Sequence, residues 1–180
     1  MKRFRYCCKI LIFLLCFIHS GYVFAQPATG KEEVDQLYAN GLKFLLQPDS
    51  LIKYAEKGYQ LAKRINYKLG EASHLKLKGI YEHRKADPDQ AIKYYQEALE
   101  IYTSVNNELE MGKINLNIAT SYGSKSDFVK STQYALSALK QFERTGFLSG
   151  QGRVLNLLGV SAFSQKDFRN AKTYFLQYNA

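Results

Sequence analysis

The sequence predicts an all-α protein, a solenoid of antiparallel helix pairs repeated about 3.5–4 times. Three observations carry that expectation. Residues recur in strict register every forty positions: Tyr54, Tyr94, Tyr134 and Tyr174 form one series, and Asp87, Asp127 and Asp167 another. Small residues hold the same spacing at Ala39, Gly79, Ala119 and Gly159, and most of a further series is small, at Leu51, Ala91, Ser131 and Ala171. Self-similarity at a fixed period of about 20–50 residues marks a stacked array. Finally, apolar residues between the recurring marks follow the three-and-four spacing of one helical face.

The N-terminal stretch is a separate object. "MKRFRYCCK" is a positive segment, "ILIFLLCFI" an apolar run, and Val23 and Ala25 supply small residues ahead of "QPATG". This is the pattern of a secretory signal peptide over residues 1–25. The run is short for a membrane span, which needs about 20 apolar residues. Leu15 before Cys16 is wrong for a lipoprotein site. A short linker, 26–30, leads into the repeat domain at 31–180. All three cysteines, Cys7, Cys8 and Cys16, lie in the leader, so the mature chain is expected to hold neither disulfides nor thiol chemistry.

The repeat domain divides into units at about 31–70, 71–110, 111–150 and an incomplete 151–180. In the first, Ala39, Leu51, Ala55 and Gly58 make a weak copy, and Asn66 suits a left-handed helix end. The second has the clearest signals. A helix over 70–85 carries Leu75, Leu77, Gly79, Ile80 and Tyr81. Its partner over 88–105 opens with Asp87 as N-cap, Pro88 at the first helical position and Gln90 at capping-box spacing. That helix shows one apolar face, Ala91, Ile92, Tyr95, Ala98, Leu99 and Tyr102, and ends at Asn106. Tyr95 and Tyr102 are expected in the core and Tyr94 half exposed between units. The third unit repeats Asp127 as cap and Gly146 as terminator. The fourth ends at Ala180, where Tyr174, Phe175 and Tyr178 would form an uncovered aromatic stripe. That stripe implies continuation of the natural product or self-association through the C-terminal helix.

The segments "GIYEHRKADPDQAIKYYQEAL" and "LLGVSAFSQKDFRNAKTYF" resemble tetratricopeptide repeats. In that motif a small residue precedes a second small residue by twelve positions, followed by an aromatic and another small residue. Gly79, Ala91, Tyr95 and Ala98 fit throughout. Ala119, Ser131, Ala135 and Ala138 fit except at the aromatic, and Gly159, Ala171 and Phe175 fit with Tyr178 replacing the last small residue. The resemblance implies a right-handed α-solenoid whose repeat-packing positions are Ala39, Gly79, Ala91, Tyr95, Ala98, Ala119, Ala138, Gly159, Ala171 and Phe175. The period departs from the family's usual value of about 34, so each helix is about a turn longer. Lys78 and Glu82 stand where the family is normally apolar.

By the same resemblance, the first helices of successive units line a concave groove that grips extended peptides. The inward positions are Asn40, Lys43, Lys76, Ile80, Lys113, Thr120, Arg153, Asn156 and Val160. Family members that clamp a C-terminal carboxylate pair lysine and asparagine four apart. Here Lys76 meets Ile80 and Asn156 meets Val160, so that clamp is absent.

No catalytic, metal or cofactor constellation is expected. His74 and His83 lie nine apart, about 13 Å along a helix, which is wrong for a shared metal. Glu97, Glu100, Glu108 and Glu110 have the spacing of solvated faces. "TGFLSGQG" is glycine-rich but lacks the Lys-Ser/Thr of a phosphate loop, and it falls at an interhelix turn. Of 25 basic and 16 acidic residues, four basic ones sit in the leader, which leaves the mature chain at +5. The charge is uneven, with 9 basic and 3 acidic residues over 111–180. No basic run exceeds two, so nucleic acid is not the expected partner. The expectation is an exported, periplasmic or secreted repeat scaffold that binds protein or peptide, with no membrane insertion after leader cleavage. By resemblance it is the input region of a bacterial signalling protein or a fragment of one. The alternatives are a free-standing periplasmic adaptor, or a small enzyme or carbohydrate-binding protein on a helical array.

Overall fold

The structure, a computed structural model, describes residues 30–178. The leader and most of the linker lie outside those residues. Eight helices follow one another among the described residues: α1 Gly30–Lys43, α2 Pro48–Arg64, α3 Lys68–Arg84, α4 Pro88–Ser104, α5 Glu108–Ser124, α6 Phe128–Thr145, α7 Leu148–Ser164 and α8 Phe168–Tyr178. Each packs on its sequence neighbours. The backbones of the odd-numbered helices also approach one another along the array, α1 to α3, α3 to α5 and α5 to α7, whereas those of the even ones stay further apart. One layer of helices is therefore continuous, and the other is splayed outside it.

The connections explain the regularity. Asn66, Ala86, Asn106, Ser126, Gly146 and Lys166 all have positive φ, one every twenty residues. At each, the next amide reaches back five residues: Tyr67 N–H to Ala62 O at 2.8 Å, Asp87 to Glu82 at 3.0 Å, Asn107 to Tyr102 at 2.9 Å, and likewise at 127, 147 and 167. This is the Schellman closure, which satisfies carbonyls the helix end would otherwise leave unpaired. The following helix is then capped. Asp87, Asn107, Asp127 and Asp167 accept from the amide three residues on, at 3.0–3.2 Å. Tyr67 and Phe147 stand at the other two caps and make no side-chain cap bond. Their rings lie over Gly70 and Gly150, where any Cβ would come within 2.6 Å and 2.4 Å of the ring.

The second helices of the first three units bury the same positions. Leu51, Ala91 and Ser131 are fully buried, as are Ala55 and Ala135, Tyr95 nearly so, and Gly58, Ala98 and Ala138 complete the stripe. Where this stripe meets the first helix, the facing residue is small because the approach is close. A Cβ on Gly79 would stand 2.4 Å from the Tyr95 ring, and one on Gly159 would stand 2.5 Å from Phe175. Tyr94 is half-buried, with the Lys78 ammonium 4.6 Å from its ring centre and 5.2 Å from that of Tyr59. That lysine holds its apolar position by laying its charge over two tyrosine faces.

Two expectations need correction. Ala39 is exposed and packs no helix pair; the close approach falls at Gly41, whose Cβ would meet Leu77 at 2.6 Å. The cause is the α1–α2 connection. It lacks a left-handed residue, turns through Phe44 N–H to Gly41 O and Gln47 N–H to Phe44 O, and stacks Phe44 on Tyr54. At the other end, Tyr174 and Phe175 are half-buried rather than displayed. Phe175 takes the Tyr95 role against Gly159; of the expected stripe only Tyr178 is exposed, beside Phe168 and Leu176.

Candidate functional site

The direct contacts among α1, α3, α5 and α7 gather their side chains on one face. There a cavity of about 550 Å³ is lined by Leu45, Ile80, His83, Arg84, Tyr95, Asn117, Thr120 and Arg153. Three of the residues expected in the groove, Ile80, Thr120 and Arg153, are brought together in it. Ile80 is half-buried, while Thr120 and Arg153 are exposed. The Thr120 hydroxyl donates to Leu116 O at 2.8 Å. No acidic residue lines the cavity.

Lys76 and Lys113 occupy a different setting from the open groove expected of them. Lys76 is buried, and its ammonium donates to Glu110 Oε2 at 2.6 Å while lying 5.1 Å from the Tyr38 ring centre. Lys113 donates to Glu110 Oε1, also at 2.6 Å, and lies over Phe147. One carboxylate from α5 thus ties α3 to α5 along the inner face. Burial pushes the Glu110 pKa up, but the two ammonium groups outweigh it and hold the carboxyl below its ordinary value. It stays ionised and serves as a counterion, not as a proton donor. Beside it Tyr102 bonds Ser73 at 3.1 Å, and burial pushes its phenol up to about 12. Tyr38 and Tyr95 are raised further, chiefly by burial.

The remaining expected groove residues lie apart. Asn40 accepts from Gln36 and Lys43 at 3.3 and 3.2 Å. Asn156 and Val160 are exposed on α7 and do not line the cavity. His83, Arg84, Asn117, Leu45 and Tyr95 were missed as groove residues. The signal for two of them was present: Arg84 and His83 lie one helical turn beyond Ile80, so the inward stripe of α3 runs a turn further than its register suggested.

Neither histidine is placed for metal chemistry. His74 is fully buried, with Nε2 3.1 Å from Val34 O and Nδ1 without a partner. Burial lowers its pKa, so the ring is neutral and Nε2 donates. His83 Nδ1 is 3.1 Å from Ser121 Oγ, and burial, aided by Arg84, lowers its pKa as well. Among the described residues no group of three or more His, Cys, Asp or Glu side chains gathers as a metal would require, and no helix is long and apolar enough to cross a membrane.

The tetratricopeptide-repeat family model matches residues 77–104, the α3–α4 pair. Among solved structures, the apo form of RapI is similar with a TM-score of 0.74 and 18% identity, over 82% of this chain and 54% of that one. BtubC from P. vanneervenii is similar with a TM-score of 0.75 and 14% identity, over 86% of this chain and 65% of that one. Aspartyl phosphate phosphatase F from Bacillus subtilis follows at 0.69 and 18%, over 83% of this chain and 40% of that one. The chain therefore spans roughly half the length of these neighbours. At such identities the likeness is one of fold. No curated protein matches.

Proposed function

Because the chain is a tetratricopeptide-like helical-repeat solenoid, we propose that it is a non-catalytic scaffold holding a protein or peptide segment against the face formed by α3, α5 and α7. The observation that carries this is the cavity itself. It is concave and mixes apolar and polar walls, and it collects Arg84, Arg153 and Asn117, whose side chains make no hydrogen bond or ion pair among the described residues. Concave sites with a few convergent polar groups are where proteins take ligands. The carboxylate most enclosed by cations, Glu110, is spent on a structural tie, which removes it from acid–base work.

The finer reading is that the scaffold is exported and acts as the input portion of a bacterial signalling protein. The leader pattern at 1–25 supports export, and mass spectrometry of the exported protein should show cleavage after Ala25. An intact Met1 would end that part of the reading. Partner binding is tested by affinity capture from periplasmic extract with the wild type and with Ile80→Glu, which places a charge on the cavity wall. Capture that the substitution abolishes supports the assignment; capture that it leaves untouched, or no capture, rejects it.

A further inference from the structure

We propose that the cavity between α3, α5 and α7 is a carboxylate-recognising subsite, and that the partner segment it holds presents an aspartate or glutamate flanked by apolar residues. This rests on the peptide-binding reading above and names the chemistry of its ligand.

The cations of this half of the molecule divide into two groups. Lys76 and Lys113 are neutralised by Glu110, Lys125 by Asp89, Lys130 by Asp127 and Arg144 by Glu108. Arg84 and Arg153 have no such partner among the described residues; nor do Lys93, Lys140, Lys166, Arg169 and Lys172, but of all these only Arg84 and Arg153 line the cavity. They come from different helices, α3 and α7, so a single ligand group between them would bridge non-adjacent units. A guanidinium offers a planar fork that fits a carboxylate through two parallel N–H···O bonds. A concave wall with apolar surface beside it strengthens such bonds relative to open water.

The neutral lining is consistent with a single anionic group rather than a polyanion. Asn117 has an uncommitted amide, and Thr120 retains lone pairs after donating to Leu116 O. Ile80, Leu45 and Tyr95 supply the apolar part of the wall. Phosphate-backbone recognition needs a stripe of Lys and Arg, whereas no lysine lines the cavity, and Lys76 and Lys113 on the inner face are paired with Glu110. An acidic side chain set among apolar neighbours meets both halves of the lining.

A random-peptide display library selected against the full chain tests this, in parallel with the Arg84→Gln/Arg153→Gln variant and with Arg169→Gln/Lys172→Gln on α8, outside the cavity. Peptides selected by the wild type should be enriched in Asp or Glu beside apolar residues. A selected peptide should lose about tenfold in affinity, both when its acid is changed to the amide and when the Arg84/Arg153 variant replaces the wild type. The α8 variant should bind as the wild type does, and circular dichroism melting should show all three chains folded. Selected peptides without acidic bias, or with a bias that survives Arg84→Gln/Arg153→Gln, would overturn the inference and leave peptide binding intact. Failure to select any peptide would overturn both. Displacement of the acidic peptides by an unstructured oligodeoxynucleotide at equal charge would reassign the cavity to polyanions.

Discussion

Among the described glycines, Gly58 leaves the least room for a side chain, and replacing it with alanine measures how much the array depends on that close approach. A Cβ there would stand 2.0 Å from His74 Cε1, 2.1 Å from Nε2 and 2.5 Å from Nδ1. The ring cannot retreat without breaking its bond to Val34 O, and it is fully buried. Within a helix, glycine to alanine contributes up to about 1 kcal/mol of propensity. Against this stand overpacking at about 1–3 kcal/mol and exposure of a buried ring nitrogen to a lost partner at about 1–3 kcal/mol. The net is a loss of about 1–5 kcal/mol, or a fall in melting temperature on the order of 2–20 °C for a chain of this size. Gly123→Ala is the matched control. Its Cβ would find Ser131 Oγ at 3.5 Å and Leu157 at 3.9 Å, ordinary contact distances, so propensity alone acts and stability should rise by about 0.5 kcal/mol. Calorimetry of the two variants decides the matter. Gly58→Ala melting at or above the wild type would refute the account of small residues as sites of enforced approach.

Three further outcomes are expected. Ala86→Gly should raise the urea midpoint without changing the slope, by about 0.5–1 kcal/mol, because Ala86 holds φ at 61° where a Cβ is strained; an unchanged or lower midpoint counts against strain there. Glu110→Gln should cost about 2–4 kcal/mol at pH 7 by leaving the buried Lys76 ammonium uncompensated. Since the Glu110 carboxyl titrates below its ordinary value of 4.5, its contribution is complete above that pH and disappears as pH falls through the lowered value. The gap between wild type and variant should therefore narrow as the pH falls through that lowered value, which paired urea titrations in a series descending from pH 7 would read. His74 is held below its ordinary 6.5, so its neutral ring supports full stability above that pH. As pH falls from there toward the lowered value, stability should decline by up to about 1.4 kcal/mol per pH unit. Hydrogen exchange should show α1–α3 loosening first; a decline equally steep in His74→Leu would assign it elsewhere, His83 being the other imidazole among the described residues.

The helix pairs were legible because capping and close approach leave marks in residue type. Asp87 and Pro88 announce α4, and Gly79 with Ala91 announces where two backbones meet. Half the turns were not legible, since Ala86, Ser126 and Lys166 have no preference for the left-handed region. They are held there by the amide-to-carbonyl closure around them, which is a property of the assembled pair. Ala39 misled because the first connection turns differently, and a forty-residue register carries no information about a turn that breaks it. In the groove, register placed Lys76 and Lys113 on the inner face, but charge spacing put Glu110 on a solvated face, whereas it is half-buried and takes up both charges across two helices. Arg84 escaped because the inward stripe was followed too short a distance along α3, and Asn117 because it was passed over between Lys113 and Thr120 on the same stripe of α5.

The twenty-residue cadence of the left-handed turns has a consequence for how such a chain can change its length. A segment such as 67–106 begins one residue after a left-handed asparagine and ends on another. Excising it, or copying it in tandem, joins turn to turn with no new backbone conformation and restores the alternation of inner and outer helices. A cut of twenty residues keeps the turns but exchanges the roles of the two layers, and an insertion of one residue rotates every later side chain by about 100°. Genes for this architecture can therefore lengthen or shorten by whole helix pairs with little folding penalty, while small insertions inside a pair are removed by selection.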